Sequence, residues 1–239
     1  FLIYEETNTD EQYHTEYALA LIDSILKLFP RQALAKQQQQ KTKAKSAVLH
    51  PFMRLKAGDE NGLLGKYRKA LLNHLASSDL YNKDAVLDRL RETVLYEELV
   101  ELYKKMKKHQ DAIATLLFDL RDPIAAEEYC IGVFEADKAF ARKEGLARRL
   151  VAAPLQAGTY NPYFINFLDA YMKMWQENPS EPLEPLLEVL NFRAANIDPC
   201  KALDCLPSDM RVKPIEQFLT QTIQFIHNLL RTSELKRSA

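Results

Sequence analysis

Cysteine and histidine are the residue types in this chain that could bind a metal ion or act in nucleophilic catalysis. Cys200 and Cys205 are five positions apart, which departs from the Cys-x-x-Cys spacing of zinc sites, and the nearest histidine is His227. Cys130 closes an apolar helical turn, so we interpret it as a packed thiol. His109 falls in a turn between two predicted helices, where capping or exposure to solvent is favoured over catalysis. These positions therefore predict neither a metal site nor a cofactor.

Neither the acidic residues nor the short sequence motifs indicate an enzyme. Glu127 and Glu128 are neighbours on one predicted helix rather than two carboxylates that converge on a cleft. The sequence contains no glycine-rich phosphate loop, no His-Glu-x-x-His pair and no Gly-x-Ser-x-Gly elbow. We therefore predict no catalytic residue and no small-molecule substrate, and an all-α enzyme is the least favoured alternative.

Four lysines near the end of one predicted helix could contact an acidic partner or an anionic lipid. The alternative is a solvated helix end, where positive charge complements the helix dipole. The four residues are Lys104, Lys105, Lys107 and Lys108. The sequence leaves both interpretations open.

The composition favours helices and argues against several kinds of partner. Only 6 of the 239 residues are glycine, against a usual share of about 7%, and good helix formers are plentiful. The formal net charge of −1 gives no global attraction to nucleic acid or to anionic lipid. No apolar run reaches the roughly 18 residues of a membrane span, and three cysteines favour a reducing, cytoplasmic setting. Because the chain opens on Phe1, we expect a fragment of a longer protein.

The elements that must position these residues are organised around the stretch 94–130. Two apolar stripes at helical spacing consist of Leu95, Leu99, Leu102, Tyr103 and Met106, and of Ala112, Ile113, Leu116, Leu117 and Leu120. Asp122-Pro123 then predicts a new helix, because Asp caps helix starts and Pro fits the first turn. Asn161-Pro162 and Asp198-Pro199 predict helix starts further along the chain. Neither helix can bury its stripe alone, and short connections place neighbours antiparallel. We therefore predict an all-α fold, an α-solenoid of antiparallel helical hairpins.

The rest of the chain divides by composition and helical pattern. Residues 31–63 are basic and rich in glutamine, without an acidic residue before Asp59. Residues 135–159 could form a basic amphipathic helix, but a variable insertion is favoured. The predicted regions are a helix of a preceding repeat (1–30), a linker or disordered insertion (31–63), a first α-solenoid region (64–134), the variable insertion (135–159) and a second α-solenoid region (160–239).

The last predicted helix, which begins near Pro214, has an unusually wide apolar face. Its apolar residues cover an arc of about 160° at 100° per residue, whereas an ordinary surface helix has a stripe of about 100°. Neighbours within the chain could bury this arc, or another segment or chain could dock on it. The candidate partner contacts are Phe218, Ile223, Phe225 and Leu229.

Three segments of the sequence resemble a known family. The first motif comprises Glu97, Glu98, His109, Asp111, Ala112, Ile113, Ala126, Glu127, Tyr129 and Cys130. The second comprises Ile197, Asp198, Lys201, Ala202, Leu203, Leu206, Pro207, Phe218 and Leu219. Upstream, Gly65-Lys66-Tyr67-Arg68 followed by Leu71-Leu72 also fits. Together these segments resemble the vacuolar-sorting tether subunits, the Rab-associated end subunits of the HOPS and CORVET membrane-tethering complexes, with the TGF-β-receptor-associated protein as a relative.

The resemblance implies a fold and a role. The family has an N-terminal β-propeller, a long clathrin-heavy-chain-like α-solenoid and a C-terminal zinc-binding cluster, and this chain resembles a late part of the solenoid. It implies a non-enzymatic scaffold in a HOPS subunit that acts in endosome and vacuole (lysosome) tethering and fusion. The alternatives are a CORVET subunit at early endosomes and an organelle-contact or receptor-adaptor solenoid.

The resemblance also implies partners and a location. The expected partner is the core subunit that both complexes share, whereas a Rab GTPase is expected to bind parts of the full-length protein outside this chain. Nucleic acid is not expected as a partner. The implied location is cytoplasmic and peripheral, on vacuole, lysosome and late-endosome membranes.

Overall fold

Every regular element that the computed structural model describes, over residues 10–28, 56–143, 160–208 and 210–237, is a helix. This confirms the predicted all-α class. The chain divides into two compact units, Phe1–Thr115 and Leu116–Ala239. Within each unit, helices pack mainly on near neighbours in the sequence, as in the predicted α-solenoid. The closer likeness to clathrin repeats stays a prediction.

The described residues of the first unit form five α-helices. They are α1 (Glu11–Leu28), α2 (Leu63–Ser77), α3 (Lys83–Arg91), α4 (Tyr96–Lys105) and α5 (His109–Ala114). Helix α1 packs on α2 and α3, and α4 packs on α2, α3 and α5. Fully buried side chains of this unit include Ile22, Ile25, Leu71, Leu75, Leu90, Leu95, Leu102 and Ile113. Most of the predicted linker lies outside the described residues, and α2 begins at Leu63, one residue before the predicted boundary.

The second unit begins within a short π-helical turn, Thr115–Asp119. Its helices are α6 (Pro123–Lys143), α7 (Pro162–Glu177), α8 (Glu184–Phe192), α9 (Pro199–Cys205) and α10 (Glu216–Arg237), with 3-10 turns at Ala194–Asn196 and Lys213–Ile215. Helix α7 packs on α6 and α9, whereas α8 packs on α10 and on α6. The turn Ala194–Asn196 also packs on α10.

Three helix starts follow the cap-and-proline pattern that the sequence predicted. Asp122 Oδ1 accepts a hydrogen bond from the backbone N–H of Ala125 at 2.9 Å. Asn161 caps α7 in the same way, and Asp198 caps α9 by accepting from Cys200 and Lys201. In each case the proline that follows needs no hydrogen-bond partner for its nitrogen. These caps fix where α6, α7 and α9 begin.

Helix α6 is longer than predicted. It continues to Lys143, so the first nine residues of the predicted insertion 135–159 are helical. Alanines and long charged residues have high helix propensity, and this part of α6 consists largely of them. The Lys138 side chain adds support, since its Nζ lies 3.0 Å from Glu135 Oε1 and 4.0 Å from the centre of the Phe134 ring. Residues 144–159 lie outside the described residues.

The end of α4 has an unusual backbone conformation. The N–H of Lys108 donates to the carbonyl of Tyr103 at 2.9 Å, and the N–H of Lys107 donates to that of Lys104 at 3.1 Å. This pair of bonds is a Schellman motif, which places one residue in the left-handed region. That residue is Lys107, with φ 57°, where glycine is the usual choice.

A glycine at this position is expected to stabilise the first unit. Lys107→Gly should raise the free energy of unfolding by about 0.5–1 kcal/mol, because glycine adopts positive φ without a Cβ clash. Urea denaturation followed by circular dichroism measures the change. Lys108→Gly is the matched control: Lys108 has φ −86°, so glycine there brings only a loss of backbone entropy. Equal effects of the two substitutions would contradict strain at Lys107.

Candidate interaction surface

Gly65 and Arg68, which belong to the upstream segment that resembles the family, make close contacts within the first unit. A Cβ on Gly65 would lie 1.9 Å from the backbone oxygen of Glu60, so only glycine allows this close approach. Three residues later, Arg68 Nε donates to Glu98 Oε1 at 2.6 Å and its Nη2 donates to Glu98 Oε2 at 2.8 Å. Glu98 is fully buried, so this bidentate pair joins α2 to α4 in the interior.

Two further carboxylates complete the environment of Arg68. Its guanidinium also pairs with Glu60 and lies 3.4 Å from Glu97 Oε2. Burial alone would raise the pKa of Glu60, but hydrogen bonds from backbone N–H groups and the charge of Arg68 hold that pKa below its ordinary value. The stabilising contribution of this carboxylate is therefore present above its unfolded pKa and is lost as the pH falls through the lower folded value. The cluster ties α2 to α4 within the first unit.

In the second unit, the end of the first motif is tied to the segment that precedes the second motif. Asn161 Nδ2 donates to the carbonyl of Cys130 at 2.9 Å, and the N–H of Asn161 donates to the carbonyl of Asn196 at 2.7 Å. Arg193 Nε donates to Glu127 Oε1 at 2.7 Å. Residues near 130 and near 195 are thus tied to the start of α7. These contacts give Glu127 and Cys130 of the first motif a role in packing.

Cys130 has the buried, unreactive environment expected from the sequence. Its side chain is fully buried, and the thiol donates to the carbonyl of Tyr163 at 3.4 Å. Burial raises the pKa of the Cys130 thiol far above its ordinary value, and the nearby carboxylate of Glu127 adds to the shift. The thiolate that nucleophilic chemistry needs is therefore disfavoured here.

The four predicted lysines do not form one exposed patch. Lys105 Nζ donates to the carbonyl of Ser78 and to Asp79 Oδ1, both at 2.9 Å, and its side chain is only 17% exposed. The hydrogen bond and charge of Lys105 lower the pKa of Asp79. Lys105 therefore has a packing role within the first unit. The three lysines left for an external partner are Lys104, Lys107 and Lys108. Lys104 is half exposed, and its Nζ lies 3.3 Å from Glu101 Oε1.

The predicted partner contacts on α10 have different environments. Phe218 is fully buried, so its side chain belongs to the core and cannot contact another chain in this fold. Phe225 is half-buried, and the side chain of Leu229 lies outside the described residues. Ile223 is 66% exposed, so its contact with a partner stays a prediction.

The exposed apolar surface of α10 is larger than Ile223 alone. Ile226 is 40% exposed and Leu230 is 59% exposed, and neither was among the predicted contacts. Their spacing places Ile223, Ile226 and Leu230 within an arc of about 60° on the helix. We call these three residues the α10 stripe. The wide apolar arc is thus buried along one side and exposed along the other.

Two strongly exposed apolar residues were missed by the sequence reasoning. Phe192 is 78% exposed at the end of α8, and Val212 is 63% exposed before the last 3-10 turn. Phe192 is out of phase with the buried stripe of α8, which contains Leu186, Val189 and Leu190. This difference in helical phase is the sequence signal that could have identified Phe192 as exposed. The turn Ala194–Asn196, which follows Phe192, packs on α10.

Two kinds of site are not found in the part of the chain that the structure describes. Its histidines, cysteines and carboxylates form no cluster that could hold a metal ion. None of its helices combines the length and apolarity needed to cross a membrane.

The described part of the chain consists of packed helices and leaves an apolar stripe exposed on α10. Vam6/Vps39-like protein of Homo sapiens is 28% identical over 70% of this chain. Vacuolar sorting protein 3 of Arabidopsis thaliana and transforming growth factor-beta receptor-associated protein 1 of Bos taurus are each 25% identical over 98% of it. These similarities confirm the resemblance to the vacuolar-sorting tether subunits.

The similarity covers only a small part of each relative. The chain spans only 18–22% of their length. No protein-family model and no solved structure matches the chain.

Proposed function

We propose that this chain is a non-enzymatic interaction scaffold within a subunit of the HOPS tethering complex, which acts in endosome and vacuole (lysosome) tethering and fusion. The proposal is supported by the similarity to the tether subunits, together with an all-helical fold that leaves an apolar stripe exposed on α10. A stack of helices can hold binding regions at a fixed separation, because each helix is stabilised by contacts with its neighbours. In this role the chain fixes distances between binding regions of the full-length protein.

The proposed contact with the complex is the α10 stripe, and the proposed partner is the core subunit that HOPS and CORVET share. Exposed aliphatic clusters on an otherwise folded helix are typical of protein interfaces. Ile223 carries this proposal best, since its side chain is 66% exposed and makes little contribution to the core. Phe225 and Leu229 are proposed to extend the contact. Rab binding is assigned to parts of the full-length protein outside this chain.

Membership of CORVET, at early endosomes, is the alternative. The relative named for the TGF-β receptor matches 98% of the chain, whereas Vam6/Vps39-like protein matches 70% at slightly higher identity. Co-purification of the full-length protein separates the two complexes, because each contains subunits that the other lacks. A receptor-adaptor or organelle-contact role predicts that neither set of subunits co-purifies.

Peripheral contact with a membrane or an acidic protein is proposed for Lys104, Lys107 and Lys108. Lys107 and Lys108 are exposed in the turn after α4. Such a contact is electrostatic, so it should weaken as salt concentration rises. Lys107→Glu/Lys108→Glu is expected to reduce binding to vesicles that contain anionic lipid, with a sedimentation assay as the measurement. Equal sedimentation of both proteins would contradict the proposal.

A charge placed on the α10 stripe tests the proposed function. Ile223→Glu is expected to weaken binding of the purified core subunit by at least about tenfold, because a carboxylate must lose its water at the contact. Biolayer interferometry with the immobilised chain gives the Kd. The melting temperature should change little, since Ile223 is mainly exposed.

Gln217→Glu is the matched control for this experiment. It adds the same charge to the same helix at an exposed position, about 120° around the helix from Ile223. We expect the control to bind like the wild-type chain. Unaltered binding by folded Ile223→Glu, or equal loss in both variants, would refute the α10 contact.

A further inference from the structure

We draw no further inference here: the strongest candidate, the exposed apolar surface of the α10 stripe, belongs to the site already described, and nothing in the structure shows which segment covers it.

Discussion

Leu102→Asp is expected to unfold the first unit at 25 °C. Leu102 is fully buried on α4, and α4 packs on α2, α3 and α5. The substitution removes apolar contacts and places a carboxylate without a partner among helices, so the loss of unfolding free energy should be about 4–5 kcal/mol or more. A loss of that size is comparable with the whole stability of many domains. Circular dichroism and urea denaturation measure the remaining structure.

Lys104→Asp is the control for this substitution. It introduces the same side chain two residues later on α4, where the lysine is half exposed. The control should change the unfolding free energy by about 0.5 kcal/mol at most. A cooperative unfolding transition in Leu102→Asp close to that of the wild-type chain would show that α4 is not enclosed by its neighbours.

Arg68→Met is expected to lower the unfolding free energy by about 3–5 kcal/mol. Glu98 is fully buried, and its carboxylate accepts two hydrogen bonds from Arg68, at 2.6 and 2.8 Å. Removal of the guanidinium leaves a buried carboxylate without its compensating charge, and this is the costly way to break a buried pair. Urea denaturation at neutral pH provides the measurement.

A double variant separates the lost charge pair from lost packing. Arg68→Met/Glu98→Leu replaces both partners by apolar side chains, and such replacements are often neutral or stabilising. The double variant should therefore recover most of the stability that Arg68→Met loses, although Glu60 and Glu97 lose their ion pairs in both proteins. If the double variant is as unstable as the single one, the uncompensated charge is not the cause.

Local sequence rules predicted the helix starts well. Asp122, Asn161 and Asp198 act on N–H groups two or three residues away, so their role can be inferred from a few neighbouring letters. Burial of Leu102 and Ile113 likewise follows from helical periodicity. Both kinds of inference rest on short-range geometry that the sequence contains directly.

Contacts between distant residues could not be predicted in the same way. Lys105 donates hydrogen bonds to Ser78 and Asp79, which are 27 and 26 positions away. The sequence gives no sign of that pairing. The pairing of Arg68 with Glu98 is also a contact between helices, 30 positions apart. Such pairs depend on how helices pack, which a single sequence does not specify.

The α10 surface was predicted only in outline. The apolar arc was evident from periodicity, but the arc alone does not say which side the core covers. Phe218 lies on the covered side and Ile223 on the exposed side, although both fit the same pattern. Ile226 and Leu230 were left out for the same reason.

Hydrogen–deuterium exchange of this chain, free and bound to the core subunit, tests the central claim most directly. The claim is that a stack of helices serves as a scaffold and binds its partner through α10. The account predicts slower exchange on binding within Glu216–Arg237, with the exchange of α1 to α5 unchanged. Protection that arises in α1 to α5 and not in α10, or no protection at a saturating concentration of the core subunit, would contradict the account.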